Sequence, residues 1–339
     1  MDIHTEFTPD VRYAYATGRI RVLESKLLSS SKVDKMIQSP TIKDALIYLE
    51  DTAYDDTIAE MKDPNNYEDL VIKEKQAAFT LMERLIPDAA VKHLFRIPYD
   101  FHNIKLLLKR RSSGIDIPII LSDLGTVAAQ KVKDAFETEN FNPLPEFMRK
   151  VIGEALAHYY LKKSLKSMEF LVDSFEYEFL LSLAGTTRIP FLINYIRSRI
   201  DLTNVSTFLR IRYFDTDDNF EETLIKGGTL SPLFFMKLAG ESVETIPTFF
   251  RNPPYARLID TGVKKITEDG TFSIFDRESE NFILQLMRQT RYITFGVEPI
   301  TAYFVAREQD LNIIKMIIVG KLNELTEGEI RERIPMTLN

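Results

Sequence analysis

A chain of 339 residues with 43 basic and 50 acidic side chains carries a formal net charge of −7, and like-charge repulsion opposes a general affinity for nucleic acid or anionic lipid. Hydrophobic residues at 45% and charged residues at 27% are those of a globular protein and exclude disordered and fibrous classes. The absence of cysteine excludes a disulfide scaffold, thiolate catalysis and cysteine-held metal, while 13 glycines and no tryptophan favour helices over turn-rich strand folds.

The first residues, MDIHTEFTPDVRYAYATGR, are too polar for a secretion signal. No stretch approaches the roughly 20 apolar residues that cross a bilayer, since Ile313 to Val319 is interrupted by Lys315. A soluble, intracellular chain is expected, with membrane contact only through a partner. Ser39-Pro40 reads as an N-cap followed by proline in the first helical position, and Ile42, Ala45, Leu46 and Leu49 then recur at helical spacing. Ala78, Leu81 and Leu85 form a second stripe, with Glu74 on the same face, four residues after Leu70 and four before Ala78. A carboxylate pointing inward there needs a partner such as an arginine, and a structural ion pair outweighs a catalytic acid. Pro87 and Pro190 punctuate further helices, and Ser231-Pro232 repeats the capping device before LFFMKLAG. Only Ile117 to Leu121 and Thr271 to Phe275 have the look of short extended pieces. The predicted fold is all-α.

Three segments align without gaps: Asp100-FHNIKLLLKRR, Asp201-LTNVSTFLRIR and Asp310-LNIIKMIIVGK, whose aspartates lie 101 and 109 residues apart. Each aspartate is followed by an apolar residue (Phe101, Leu202, Leu311), a β-branched one (Ile104, Val205, Ile314), a third apolar position (Leu108, Leu209, Ile318) and a closing base (Arg111, Arg212, Lys321). An arginine stands shortly before it each time, at Arg96, Arg197 and Arg307. An apolar stripe alone occurs on any amphipathic helix, but aspartate, stripe and terminal base at matching offsets point to a triplicated helical unit. The expected subdomains are 1–114, 115–214 and 215–339, with termini free to pack across them.

The usual signatures of chemistry are missing. There is no G-x-x-x-x-G-K-[ST] or G-x-G-x-x-G loop, the nearest approach being Lys226-Gly227-Gly228-Thr229. His4, His93, His102 and His158 form no close metal-ligand pair, and no G-x-S-x-G elbow is present. Asp55-Asp56, Asp217-Asp218 and Glu221-Glu222 sit beside loop-like sequence, where hydration rather than acid–base work explains them. No catalytic residue, cofactor or metal site is expected. The basic groups at Arg111 and Arg212 close helices, where they complement the dipole, and repetition makes them candidates for facing an acidic partner.

The C-terminal run Phe295-GVEPITAYFVAREQDLNIIKMIIVGKLNELTEGEIRERI, with Pro98-Tyr-Asp-Phe-His-Asn-Ile-Lys and Tyr13-AYATGRIRVLESKLL upstream, resembles the C-subunit family of the archaeal and bacterial V-type (A-type) ATPases, whose eukaryotic relative is the d subunit. The resemblance rests on Gly296, Glu298, Pro299, Tyr303, Arg307, Glu308, Lys321 and the Ile330-Arg331-Glu332 ending, and spans essentially the whole chain. It implies a funnel of three similar helical subdomains about a pseudo-threefold axis. It also implies a non-catalytic, peripheral component, one copy per complex, on the cytoplasmic face of the proteolipid ring. There it would receive the shaft subunits D and F and couple ATP hydrolysis or synthesis to H+ or Na+ transport. The signature positions are expected to serve the fold or partner contacts. The ring-facing side would expose apolar and short polar groups, to which Leu233-Phe234-Phe235-Met236 or Phe249-Phe250 could contribute, although burial in the core is the expected fate of most of these aromatics. A rival reading is a helical scaffold that binds another acidic partner through its basic repeat ends.

Overall fold

A computed structural model describes residues 7, 9–61, 63, 65–114, 119–214, 220–250 and 254–339. Every regular element among them is helical, as the scarcity of glycine predicts. The chain separates into two compact units, 88–240 and a discontinuous one that joins 1–87 to 241–339.

In the discontinuous unit the chain forms α1 (Ala14–Glu24), α2 (Ser30–Gln38), α3 (Ile42–Ile47), α4 (Asp55–Ala59) and α5 (Tyr67–Leu85). The other unit holds α6 (Ala89–Ser113), α7 (Ala129–Glu137), α8 (Glu146–Lys162), α9 (Leu165–Thr187), α10 (Pro190–Phe214), α11 (Phe220–Thr223) and α12 (Pro232–Leu238). The chain then returns to the first unit through α13 (Ala256–Asp269), α14 (Ser273–Arg288), α15 (Val297–Leu322) and α16 (Glu327–Arg333).

Helix α15 is the axis of the discontinuous unit. It is buried almost all round, with α1, α5, α14 and α16 packed on it, and a helix apolar on every side is stable only when so enclosed. Ile313, Ile314, Ile317 and Ile318 meet Leu28, Met36, Ile37, Leu49 and Tyr54 in one core. Lys315, which interrupts the apolar run, points to solvent. In the other unit α6 lies along α9, which also packs on α8 and α10.

Two local expectations are corrected. Ser39 does not cap the helix after it. Its hydroxyl donates to the Lys35 carbonyl at 2.8 Å and closes α2, while Thr41 caps α3 by accepting from the Asp44 amide. The proline thus separates two helices instead of opening one. Thr271 to Phe275 is not extended, because Thr271 accepts from the Ser273 amide, α14 starts at Ser273, and Phe275 packs closely on Gly262 of α13. Of the other supposed strand, 119–121 has no regular structure and Ile117 lies outside the described residues. Ser231 caps α12 as expected, accepting from the Phe234 amide with Pro232 in the first turn.

Candidate functional site

The repeated aspartates, which the alignment places at equivalent positions, are all buried. A buried carboxylate is tolerated only where donors surround it, and each of these finds them in a loop that leads into a helix. Asp100 on α6 accepts from the Thr126 amide at 2.9 and 3.0 Å, the Thr126 hydroxyl at 2.6 Å and the Val127 amide at 3.2 Å. Asp201 on α10 accepts from the Thr229 amide at 3.1 Å, the Thr229 hydroxyl and the Leu230 amide at 3.0 Å. Burial pushes Asp100 above the usual carboxylate range, opposed by the Thr126 and Val127 donors and by the Arg96 charge.

One turn further along, Asn103 and Asn204 complete the arrangement. Asn103 donates to the Ser122 carbonyl at 2.7 Å and accepts from the Ser122 amide at 2.8 Å. Asn204 does the same with Ile225, at 2.8 and 2.9 Å. A primary amide offers one donor and one acceptor side by side, so it pairs with a single peptide unit as a strand would. Gly125 and Gly228 lie directly against the aspartates, and a Cβ at either position would collide with the carboxylate. The Gly227-Gly228-Thr229 run, which as sequence comes nearest to a phosphate loop, therefore wraps an anion that the chain itself supplies. Arg96 fastens the first loop further, donating to the carbonyls of Leu124 and Gly125 at 3.3 and 2.9 Å.

The third aspartate, Asp310 on α15, takes its donors from far upstream: the Leu28 amide at 2.8 Å and the Tyr54 hydroxyl at 2.9 Å. Leu28 stands immediately before Ser29, the N-cap of α2, as Val127 and Leu230 stand immediately before the N-cap residues of α7 and α12. With Ile313 in place of the asparagine, the second clasp is absent here. Full burial raises the Asp310 carboxyl to about 7, against the Leu28 and Tyr54 donors and the Arg307 charge, which hold it down.

Beside it runs a buried polar chain. Arg307 donates to Glu74 at 2.6 Å and to the Tyr303 hydroxyl at 3.0 Å, and its guanidinium lies over the Tyr54 ring at 5.9 Å. Thr57 donates to the other oxygen of Glu74. Glu74 thus has the arginine partner its place on the α5 stripe requires. Burial raises both the Tyr54 and Tyr303 hydroxyls, while Arg307 works against the rise.

The remaining signature positions serve the protein's interior or its immediate surface. Lys321, in the last turn of α15, donates to the Ile37 carbonyl at 2.9 Å and to that of Ser39, placing a cation on the C-terminal end of α2. Glu298 and Pro299 are buried in the first turn of α15, where proline's missing N–H leaves no bond unmade. Gly296 precedes them because a Cβ there would strike the Glu298 carboxylate, whose charge burial disfavours. Glu308 is exposed and faces Lys75 at 3.4 Å. Arg111 closes α6 in an ion pair with Glu139 at 2.8 Å, and Arg212 closes α10 half-buried.

No group of three His, Asp or Glu side chains suited to a metal occurs among the described residues. His158 bonds to Ser167 at 2.6 Å, and Glu222 faces Lys162 at 3.3 Å. His4, Asp217 and Asp218 lie outside the described residues. Of the aromatic runs, Phe235 and Phe250 are core while Leu233, Met236 and Phe249 are exposed. No described helix is long and apolar enough to cross a membrane.

These seams define an all-helical protein whose buried charges hold its own loops and helix ends together. The family model for the ATP synthase (C/AC39) subunit matches residues 16–333, and the chain belongs to that family. Among its relatives, the C subunit of the A-type ATP synthase of Methanocaldococcus jannaschii is 26% identical, over 94% of this chain and 85% of the relative. The C subunit of the V-type sodium ATPase of Enterococcus hirae is 22% identical, over 93% and 95%. The C subunit of the A-type ATP synthase of Desulfurococcus sp. is 25% identical, over 97% and 90%.

Proposed function

We propose that the chain is a non-catalytic central-rotor component of a V-type (A-type) ATPase, the socket that links a shaft of subunits D and F to the membrane proteolipid ring. Through it, ATP hydrolysis or synthesis is coupled to H+ or Na+ translocation, with the protein bound peripherally on the cytoplasmic face as one copy per complex. The observation that carries this reading is the family match across residues 16–333.

The aspartate seams fit the mechanical task. A socket that transmits torque has to keep its shape under load, and dense helical packing resists gradual deformation. A carboxylate that accepts several charge-assisted bonds from a loop holds that loop more stiffly than neutral contacts do. The same seams support three related subdomains, 1–114, 115–214 and 215–339, arranged as a pseudo-threefold funnel. The expected boundaries fall at the ends of α6 and α10, whereas each of the first two aspartates binds the loop that follows its helix.

Isolation of the native complex through an affinity tag on this chain, with its subunits identified by mass spectrometry, tests the proposal. Co-purification of shaft subunits and proteolipids in fixed ratio is expected. A native rotary ATPase that retains shaft and ring and lacks this chain would overturn it.

A further inference from the structure

The third aspartate seam lacks the clasp of the other two, because Ile313 stands where they carry Asn103 and Asn204. In the first two seams the clasped peptide unit lies five residues before the last amide that the aspartate holds, Ser122 before Val127 and Ile225 before Leu230. The same offset from Leu28 falls on Leu23, at the end of α1. An asparagine reaches this place after all, from 315 positions further along the chain: Asn339 donates to the Glu24 carbonyl at 2.9 Å and to that of Leu27 at 3.5 Å. It thereby bridges the two sides of the turn that presents the Leu28 amide to Asp310.

Asn339 arrives on an extended segment, 334–339, that follows α16 and is pinned to α14. Ile334 and Pro335 are buried, and Ile334 belongs to the core around α15. Beyond them the Met336 amide donates to the Asn281 side chain at 2.7 Å, and Arg288 donates to the carbonyls of Thr337 at 2.7 Å and Leu338 at 3.2 Å. The Thr337 hydroxyl donates to the Asn339 carbonyl at 2.9 Å. Among the described residues, every hydrogen bond that ties 336–339 to the rest of the protein runs through a side chain, that of Asn281, Arg288 or Asn339. Water replaces such bonds at small net cost when a short segment lifts away. Asn103 and Asn204, by contrast, are fixed in the middle of α6 and α10 and move only with those helices.

We propose that residues 336–339 form a releasable latch on the third seam. Closed, the latch supplies the clasp that Ile313 cannot, and it holds the turn 25–28 with the Leu28 amide on Asp310. Open, it frees that turn and the start of α2, while α15 and the seams of Asp100 and Asp201 stay intact. The discontinuous unit then has a joint that can be undone without unfolding. This goes beyond the rotor reading, and its test on the isolated chain can fail without touching that reading.

The chain has no cysteine, so a single introduced thiol reports its own exposure. Thr337 and Thr301 are both buried, at 3% and 0% exposure, but Thr301 lies in α15 and outside the latch. Under native conditions a maleimide should modify Thr337→Cys at least about tenfold faster than Thr301→Cys. Arg288→Met should raise the first rate further and leave the second unchanged. A chain ending at Pro335 should keep its helical circular dichroism. In it the Leu28 amide, held by Asp310, and the Ala53 amide, held by the Lys26 carbonyl at 2.9 Å, should exchange at least about tenfold faster than in the full chain, with the Thr126 and Leu230 amides unaltered. Equal labelling at positions 337 and 301, or a shortened chain whose Leu28 and Ala53 amides keep their protection, overturns the latch. So does loss of protection throughout α15, since 336–339 is then an inseparable part of the core.

Discussion

Arg307 and Glu74 meet at 2.6 Å in the protein interior although 233 positions separate them in the chain. The contact joins α5 to α15, and neither charge has bulk water to fall back on, with side chains only 9% and 4% exposed.

Removing one partner therefore leaves the other charged and buried. Glu74→Leu should lower unfolding free energy by about 3–5 kcal/mol, whereas the same change combined with Arg307→Met should cost markedly less than the sum of the two single changes. Denaturant titrations of the singles and the double give the coupling energy. Additive effects would show that the two groups act independently.

Asp310 sets a pH dependence. Its folded-state value of about 7 lies above the ordinary 3.8, so the folded protein binds this proton more tightly than the unfolded chain does. The contribution to stability is complete below about pH 4 and is lost as pH rises through about 7. Asp310→Asn keeps an acceptor for the Leu28 amide and stays uncharged, so it should flatten that decline. Asp310→Ala strands the amide and the Tyr54 hydroxyl and should cost about 2–4 kcal/mol. Thermal melts at several pH values compare the three proteins.

In the unit 88–240 the clasp residues are the sensitive positions. Gly228→Ala forces a methyl group into the Asp201 carboxylate, and overpacking of this kind costs about 1–3 kcal/mol. Asn204→Ala removes both bonds to the Ile225 peptide unit and should cost a similar amount. Hydrogen exchange should show the Ile225 and Leu230 amides losing protection before the amides of α9 do.

Lys321→Met keeps the aliphatic stem but takes the cation from the end of α2. A loss of about 1–2 kcal/mol is expected, with fraying confined to α2 in exchange measurements. Unfolding that spreads evenly through the unit would contradict a local capping role.

Much of this is visible in the sequence, and what is not has physical reasons. The α5 stripe shows that Glu74 points inward and needs an arginine, but nothing local singles out Arg307, because the pairing is decided by how α5 lies on α15. The aligned repeats display the three aspartates. Asn103 and Asn204 escape the pattern of aspartate, apolar stripe and closing base, although a polar residue at matching places on two apolar faces is a readable signal. Their loop partners are hidden because Ser122 and Ile225 lie beyond the helix ends, at distances set by loop length. Serine before proline reads as a helix start at Ser39, yet the same hydroxyl can close the preceding helix, and only the chain direction at Pro40 decides between them.

The bond between the Leu28 amide and Asp310 also orders events during synthesis. Leu28 leaves the ribosome long before its acceptor exists, and residues 88–240 emerge in between as a compact unit of their own. The amino-terminal helices must wait, with the apolar faces of α2 and α5 uncovered, until α15 has been made. Nascent chains halted before Asp310 should therefore bind chaperones through residues 14–85, and that binding should lapse once α15 has emerged and the discontinuous unit can close.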